Sequence, residues 1–574
     1  MTTTPAADAA GRRIARASAL VGGLFLAAKL VGLLRERAIG ARFGVSAEYD
    51  AYVAAFRVPD LLFTVFAGGA LVSAFLPVFS AALADDDRDG AWALASGVTN
   101  LVVAATVLAA VAAALSAGTL SRFVAPSFTA EQLALTAHLM RIILVSTVIF
   151  AVSGLQFGIL NAFQHFLTPA LATVVYNLGI IAGAVWLAPR FGIDGLAYGV
   201  VIGAAAHLLI KLPPLLERGF RWRPVLGLGD ARVRQVLHLL WPRMLSLGAV
   251  QAVFIANTRL ASAAGTSAVS AVNYAWIISQ MPQSILGTAV GTAAFPTLAG
   301  LAARGRRDEL RRTATDALAA MTALTVPAAV GLAVLAGPAV QVLLQTGRFG
   351  PEAAALTAAA LRMFALGLLG HVTLEVAARL FYAQQDTRTP LLISVGTMIV
   401  NIALAVGFLA VVAAAGWPLA ASVAAIALAN SIAVTLEVAA ALWLVRGRLG
   451  GIEGRRLAGA LGKSLLAGAL MASAMIAVRA ALPRRCRWPR CPDRSRTDSS
   501  ASPPRARSAA CATAPRPWRW ASRRRRSSPR GPGAARSPPL AGRGTGRVEP
   551  SVSRPRRRPR DPPRPAATGR PGPG

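Results

Sequence analysis

Thirteen apolar runs follow one another through most of this chain, each near the length that a helix needs to cross a bilayer. They fall near residues 17–39, 52–82, 92–117, 133–160, 168–188, 192–216, 233–260, 268–300, 315–345, 353–382, 389–414, 417–445 and 457–479. In hydrocarbon every backbone N–H and C=O must find a partner inside the protein, which leaves helices or a closed barrel. Runs of this length read as helices. The expected fold class is therefore an all-α polytopic membrane protein. The charged fraction, 15%, is well below the roughly 25% of a soluble domain, and the mean hydropathy is +0.54. A single soluble enzyme is excluded. Pro59, Pro77, Pro169, Pro242, Pro282, Pro296 and Pro327 fall inside or at the ends of these runs. Neighbouring helices can satisfy the carbonyls that such prolines free.

The composition breaks near Leu482. Residues 483–574 hold 25 arginines, 19 prolines and all three cysteines, while residues 1–482 hold no cysteine. The body therefore has no disulfide and no thiol-ligated metal. Arg12, Arg13 and Arg16 before Ala19–Ala28 resemble the start of a signal peptide, but further apolar runs follow. The segment reads as a retained first span. Loops carrying Arg218, Arg221, Arg223, Arg304, Arg306, Arg307, Arg446 and Arg448 lie on one side, and the loops 261–267 and 413–418 carry no basic residue. By the positive-inside rule the first set is cytoplasmic, and so is the N-terminus.

The body is duplicated. Phe128, Glu131, Leu135, Thr136, Ala137 and Arg141 recur 221 residues on as Phe349, Glu352, Leu356, Thr357, Ala358 and Arg362. Gln164, Thr168 and Pro169 recur at the same offset as Gln385, Thr389 and Pro390. Six spans fit each repeat. An even number gives both repeats the same orientation, so they are related by an axis along the membrane normal. The expected domains are a six-span lobe over 1–225, a second over 226–447, an additional span over 448–482, and the Arg/Pro-rich tail over 483–574. A central cavity is expected between the lobes. Such architecture suits a transporter; a duplicated scaffold is the alternative.

Ionisable groups inside a membrane cost at least about 2.5 kcal/mol and need a partner or a wet cavity. Lys29 and Arg35 lie in the first span, and Asp50, Arg57 and Asp60 in the second. One reading is a basic cavity for an anionic substrate, because arginine grips phosphate through a planar fork and lysine as a point charge. The other is snorkelling at span ends, which suits Arg37 and Arg42 better. Arg57 and Asp60, three residues apart, can pair within their helix, as can Glu375 and Arg379 at four. The five histidines have no ligand spacing, and no catalytic set or metal cluster stands out. No cofactor is expected.

The stretch KLVGLLRERAIGARFGVSAEYDAYVAAFRVPDLL (Lys29–Leu62) resembles the N-terminal signature of the MurJ/MviN lipid II flippases. LFYAQQDTRTP (Leu380–Pro390), AFLPVFSA (Ala74–Ala81) and LGTAVGTAAFPTLA (Leu286–Ala299) are similar to further parts of that family. The resemblance implies the multidrug/oligosaccharidyl-lipid/polysaccharide exporter fold, with two six-helix lobes around a central cavity. It implies a non-enzymatic carrier of lipid II, a polyprenyl-diphosphate-linked peptidoglycan precursor, working by alternating access in the cytoplasmic membrane. Cell-wall synthesis proteins are implied as neighbours. Residue by residue, Arg35 falls on the family's functional first-span arginine, Lys29 where an earlier arginine is usual, and Asp50 on the acid that opens the second span. With Arg57 these are the expected substrate-binding residues. Two departures remove expected cations: Phe63 or Thr64 stands where the second span commonly has a basic residue, and Trp276 or Ile277 where the eighth has an arginine.

Those departures keep a second expectation open, an exporter of another polyprenyl-linked glycan. A drug/cation antiporter would need acids in the cavity. A membrane enzyme on polyprenyl phosphates would need clustered acids or histidines. The family usually has a fourteenth span, and here the Arg/Pro tail begins instead. A shifted reading frame in a GC-rich gene is one reading of the tail and a disordered extension the other; no nucleic-acid partner is assigned to it. Sequencing the gene across codon 482 decides between them, since a confirmed frame there sinks the first.

Overall fold

The computed structural model describes residues 5–384, 386, 388–448, 451 and 453–481. The tail, and Gln385 of the repeat, lie outside the described residues. Thirteen long helical segments match the thirteen apolar runs: α1 (Pro5–Phe43), α2 (Ala47–Ala84), α3 (Arg88–Leu115), α4 (Ala130–Ala162), α5 (Leu167–Phe191), α6 (Ile193–Leu216), α7 (Ala231–Ala264), α8 (Ala268–Ala303), α9 (Arg307–Leu344), α10 (Pro351–Ala383), α11 (Arg388–Ala414), α12 (Leu419–Arg448) and α13 (Gly454–Ala481). No strand occurs among the described residues. Eleven of these helices are long and apolar enough to span a membrane by length and composition. Pro59, Pro77, Pro242 and Pro327 sit within helices as the sequence implies, joined by Pro338.

The duplication is visible as repeated packing. In the first repeat α4 is the hub, packed by α2, α3 and α6, with α5 against α6 and α1 against α5. In the second, α10 is the hub, packed by α8, α9 and α12, with α11 against α12 and α7 against α11. The two six-helix lobes are thus built alike. Helix α13 stands outside this pattern and packs on α9. Thr136 of α4 and its counterpart Thr357 of α10 are both buried. Where α5 meets α6, Gly179 and Gly183 face Gly203 and Gly199 so closely that a Cβ on Gly179 would lie 2.4 Å from the Gly203 backbone. Small residues of this kind let two helices touch backbone to backbone.

The arginine-rich loops gather at one end of the bundle, the basic end; the opposite end is sealed. At the sealed end a single buried core crosses both lobes, joining Ile39, Phe43 and Tyr49 to Tyr274, Leu344 and Phe349. At the basic end the core divides. Phe75, Phe79, Trp92 and Leu155 form one part with Val233, Val236 and Leu240 of α7, while Leu310, Leu318, Leu368, Phe381 and Val445 form another.

The basic end also holds a pair of matching clasps. In the second repeat Arg448 donates to Asp386 at 2.6 Å and to Thr389 Oγ1 at 2.9 Å, and lies over Phe381. In the first repeat Arg218 donates to His165 Nδ1 at 3.2 Å and lies over Phe163. His165 Nδ1 must then be the bare nitrogen, so Nε2 donates to Thr168 Oγ1 at 2.6 Å. His165 and Thr168 lie 221 residues before Asp386 and Thr389. One clasp uses an acid, the other a neutral imidazole.

Hydrogen bonds from Thr389 and then from Arg448 hold the Asp386 carboxyl well below the usual carboxylate range. Burial, then the charge of Arg218, lowers the His165 imidazole. A lowered histidine contributes stability that is present above its ordinary value of about 6.5 and is lost as the pH falls below it. A lowered aspartate keeps its contribution until the pH falls through its still lower folded value. Between about pH 6.5 and 4 the first clasp should therefore open while the second holds. Hydrogen exchange of the 163–168 and 384–389 turns, corrected for intrinsic rate, should show the first losing protection alone, and His165→Asp should restore it. Equal loss in both turns would refute the difference.

Candidate functional site

An ionised group placed in an apolar helix has to be neutralised by its own surroundings. Arg35 of α1 meets this with two partners. Its Nε donates to Glu36 at 2.9 Å, and its Nη1 to Asn177 Oδ1 of α5 at 2.9 Å. Glu36 is 3% exposed, and its second oxygen has no partner. Arg57 of α2 donates from Nε to Thr258 Oγ1 of α7 at 2.7 Å and lies over the Phe254 ring. The bond joins the lobes. It also differs from the expected pairing of Arg57 with Asp60 inside the helix.

Arg35 and Arg57 line the same cavity, a chamber of about 860 Å³ in the first lobe. Glu36, Asp60, Tyr52, Tyr176 and His207 share its wall. The chamber is therefore charged but locally balanced: two guanidinium groups stand beside two carboxylates. Arg35 keeps one edge of its fork towards Glu36 and one towards Asn177, so its orientation is fixed by protein contacts. Pre-set donors of this kind bind anions without reorganising. Where the chamber is lined by α2, the helix departs from regular geometry. Phe63–Ala67 forms a π-helical stretch, and Gly68 breaks the run before the helix resumes at Gly69. The Ala67 carbonyl packs so close to Gly154 of α4 that a Cβ there would lie 2.2 Å from its oxygen. Interrupted helices of this sort occur where backbone lines a cavity instead of lipid.

A second, smaller chamber of about 300 Å³ lies in the second lobe, and Arg57 and Asn273 line both. Its polar wall comes from amides and hydroxyls of α7, α11 and α12, together with Trp276, His371 and Glu437. The residues at the family's missing cationic positions are found on these walls. Phe63 and Ile277 face the first chamber and Trp276 the second, while Thr64 accepts a hydrogen bond from Gln251 of α7 at 2.7 Å.

Lys29 and Asp50 do not line either chamber. Lys29 is exposed on α1. Asp50 is 0% exposed, at the sealed end. Its two oxygens accept from the backbone N–H of Ser267 at 2.6 Å and of Ser270 at 2.7 Å. Ser267 has a left-handed backbone, φ +75°, and starts α8. Asp50 thus caps, from the other lobe, the first turn of a helix whose free N–H groups and dipole both favour a carboxylate. Tyr49, its neighbour, stacks on Tyr274 of α8 at 5.0 Å.

Arginines complete the same end. Arg37 donates to the Val342 carbonyl at 2.7 Å, Arg42 to Ala188, Arg141 to Ala114 and Arg259 to Phe123. Each reaches a carbonyl at or near a helix C-terminus, where a cation satisfies the last acceptors. This accounts for Arg37 and Arg42 as structural groups. The α1–α2 and α9–α10 turns also touch, with Arg348 N–H donating to Ala41 O at 2.9 Å. Gly347, at φ +57°, permits this, since a Cβ there would meet the Ala41 oxygen at 2.2 Å. Glu375 and Arg379 form the intrahelical pair that their spacing implies, at 3.5 Å. Among the described residues no group of histidine, cysteine or acid side chains could hold a metal ion.

Sequence reasoning identified Arg35 and Arg57 because charge in an apolar run is anomalous. It missed Asn177, Thr258, His207 and the second chamber, whose residues are ordinary in any helix and become a site only through packing.

Two like lobes around a two-chambered polar cavity, sealed at one end, define a carrier of the multidrug/oligosaccharidyl-lipid/polysaccharide exporter class. A sequence profile of the family described as lipid II flippase MurJ matches residues 39–485. The lipid II flippase MurJ of Burkholderia cenocepacia is 31% identical over 396 residues, covering 67% of this chain and 76% of that protein. A probable lipid II flippase MurJ of Bdellovibrio bacteriovorus is 29% identical over 400 residues, covering 69% and 76%. Among solved structures, a lipid II flippase MurJ in an inward closed conformation superposes with a TM-score of 0.67 at 22% identity, covering 79% of this chain and 92% of that one. An inward-facing multidrug resistance MATE family transporter does so at 0.61 and 15%, covering 74% and 94%. These two likenesses concern the fold. By the profile and the relatives together, the chain belongs to the MurJ family.

Removing the Asp50 carboxylate leaves two N–H groups of α8 without a partner, at a cost of about 2–4 kcal/mol. Asp50→Ala should therefore lower thermal stability. It should also make the thiol of Ser267→Cys reactive to a membrane-impermeant reagent, in a chain whose three tail cysteines are changed to serine. Asp50→Asn should do so less. A thiol at position 267 that stays unreactive in the Asp50→Ala protein would show that other contacts hold this end.

Proposed function

We propose that this chain carries lipid II, a polyprenyl-diphosphate-linked peptidoglycan precursor, from the inner to the outer leaflet of the cytoplasmic membrane by alternating access. The observation that carries the reading is the pair Arg35 and Arg57 on the wall of one chamber between two like lobes. A diphosphate needs forked donors held in place inside a cavity with room for a headgroup, and about 860 Å³ lies within the usual range for ligand sites. Family membership supports the same reading, since the relatives are named as lipid II flippases. The chain acts as a carrier and not as an enzyme: its polar groups are arranged to bind and to be released.

The first lobe takes residues 1–225, the second 226–447, the additional span 448–482 and the tail 483–574. The basic end is cytoplasmic, and with it the N-terminus, because its loops hold the arginine excess. Arg35 and Arg57 receive the diphosphate. Lys29 lies about 9 Å along α1 from Arg35, towards the basic end, and gives the incoming anion its first attraction. Asp50 acts as the outer latch: it keeps the lobes joined at the external end while the substrate enters from the cytoplasm. Cell-wall synthesis proteins are the natural neighbours of such a carrier.

A second reading, export of another polyprenyl-linked glycan, is favoured by one observation. Phe63, Trp276 and Ile277 occupy cavity positions where the family commonly has cations. A bacterium depleted of its own lipid II flippase distinguishes the two when it expresses the full chain, residues 1–482, or the Arg35→Gln variant. Rescue by the first two, with growth reduced at least about tenfold by Arg35→Gln, is expected. Failure of both wild-type forms, with the proteins inserted in the membrane, would point to a different glycan.

A further inference from the structure

The two chambers differ in chemistry, and the difference has a direction. The first holds both guanidinium groups. The second has no cation of its own apart from the shared Arg57. Its wall instead offers neutral donors and acceptors, and two of them are open. Asn401 of α11 is 2% exposed; its Nδ2 donates to Asn257 Oδ1 at 3.2 Å, but its own Oδ1 has no partner. The indole Nε1 of Trp276 is buried and likewise has none. A buried acceptor and a buried donor left open in one cavity are costly unless something fills them. Trp276 cannot turn away, because its ring is held edge-on by Phe254, Phe364 and His371 at 5.3–5.8 Å. On the far wall Glu437 accepts from Ser394 at 2.5 Å through one oxygen.

We propose that this second chamber is a sugar subsite, which takes the first pyranose attached to the diphosphate. The inference rests on the carrier reading above and refines it. A pyranose presents hydroxyl and N-acetyl groups that donate and accept at fixed angles around a compact ring. That matches a wall of amides, hydroxyls and one indole N–H better than it matches an anion or a hydrocarbon tail. About 300 Å³ admits one ring and its substituents but not a disaccharide with its peptide. The order of the chambers matches the covalent order of the ligand. Arg57 stands on the boundary, with its Nε committed to Thr258, where the last phosphate meets the anomeric carbon. Trp276 thereby has a role at a position where the family commonly places an arginine: it exchanges a charge contact for a sugar contact.

The test compares two ligands on the purified full chain in nanodiscs: a polyprenyl diphosphate, and the same lipid bearing one N-acetylated hexose on the diphosphate. The wild type should bind the second at least about tenfold more tightly. Trp276→Phe keeps the aromatic ring but removes the N–H, and Asn401→Leu removes the open acceptor. Each should shrink the preference towards unity without changing affinity for the bare diphosphate. Arg35→Gln should weaken both ligands together. Equal affinity of the wild type for the two lipids would overturn the subsite and leave the carrier reading intact. So would a preference that survives in Trp276→Phe, or a loss in that variant shared equally by both lipids. Failure of the wild type to bind either lipid would overturn both.

Discussion

The contact between the Asp50 carboxylate and the first turn of α8 governs how the two lobes can be arranged. It joins groups more than two hundred residues apart, and it is wholly buried. A carboxylate in such a place is costly to desolvate. Two backbone N–H groups and the positive end of a helix dipole offset part of that cost, and only when the lobes meet. The tyrosine stack and the arginine caps assemble around this point. At the other end the hydrophobic core divides in two. The molecule is tied at one end and parted at the other, which is the geometry of a carrier open, or ready to open, on one side.

The spans, their number and the duplication could be read directly, because length and hydropathy are local properties and the repeat preserved its spacing at 221 residues. Arg35 was legible for a related reason: a charge in an apolar helix has no neutral explanation. Asp50 was legible as an anomaly but not as a latch, because its partners are backbone groups of Ser267 and Ser270, invisible to any side-chain motif. Arg57 shows the opposite error. Its spacing from Asp60 offers a pair within one helix, yet the side chain reaches across to Thr258. Local geometry permits both, and only the packing of α2 against α7 selects one.

Charge is used in three separate ways along the same membrane axis. At the sealed end arginines close helix C-termini, so their positive charge is directed to carbonyls and does not act on the surroundings. In the first chamber Arg35 and Arg57 are held with partial neutralisation by Glu36 and Asp60, which leaves them able to exchange a carboxylate neighbour for a phosphate. At the basic end Arg218 and Arg448 clasp the two repeats, one on an imidazole and one on a carboxylate. A count of arginines alone would have merged all three.

The central claim is that this protein lets a diphosphate-linked lipid change leaflets through the cavity between its lobes. The most direct measurement is leaflet exchange in vesicles containing the purified full chain and a fluorescent lipid II, with the outer-leaflet label quenched chemically. The account expects the quenched fraction to rise from about half towards completion, and to stay near half when Arg35 and Arg57 are both replaced by glutamine. A quenched fraction that stays at the protein-free level with the wild-type chain, in vesicles where the protein is folded and inserted, would contradict it.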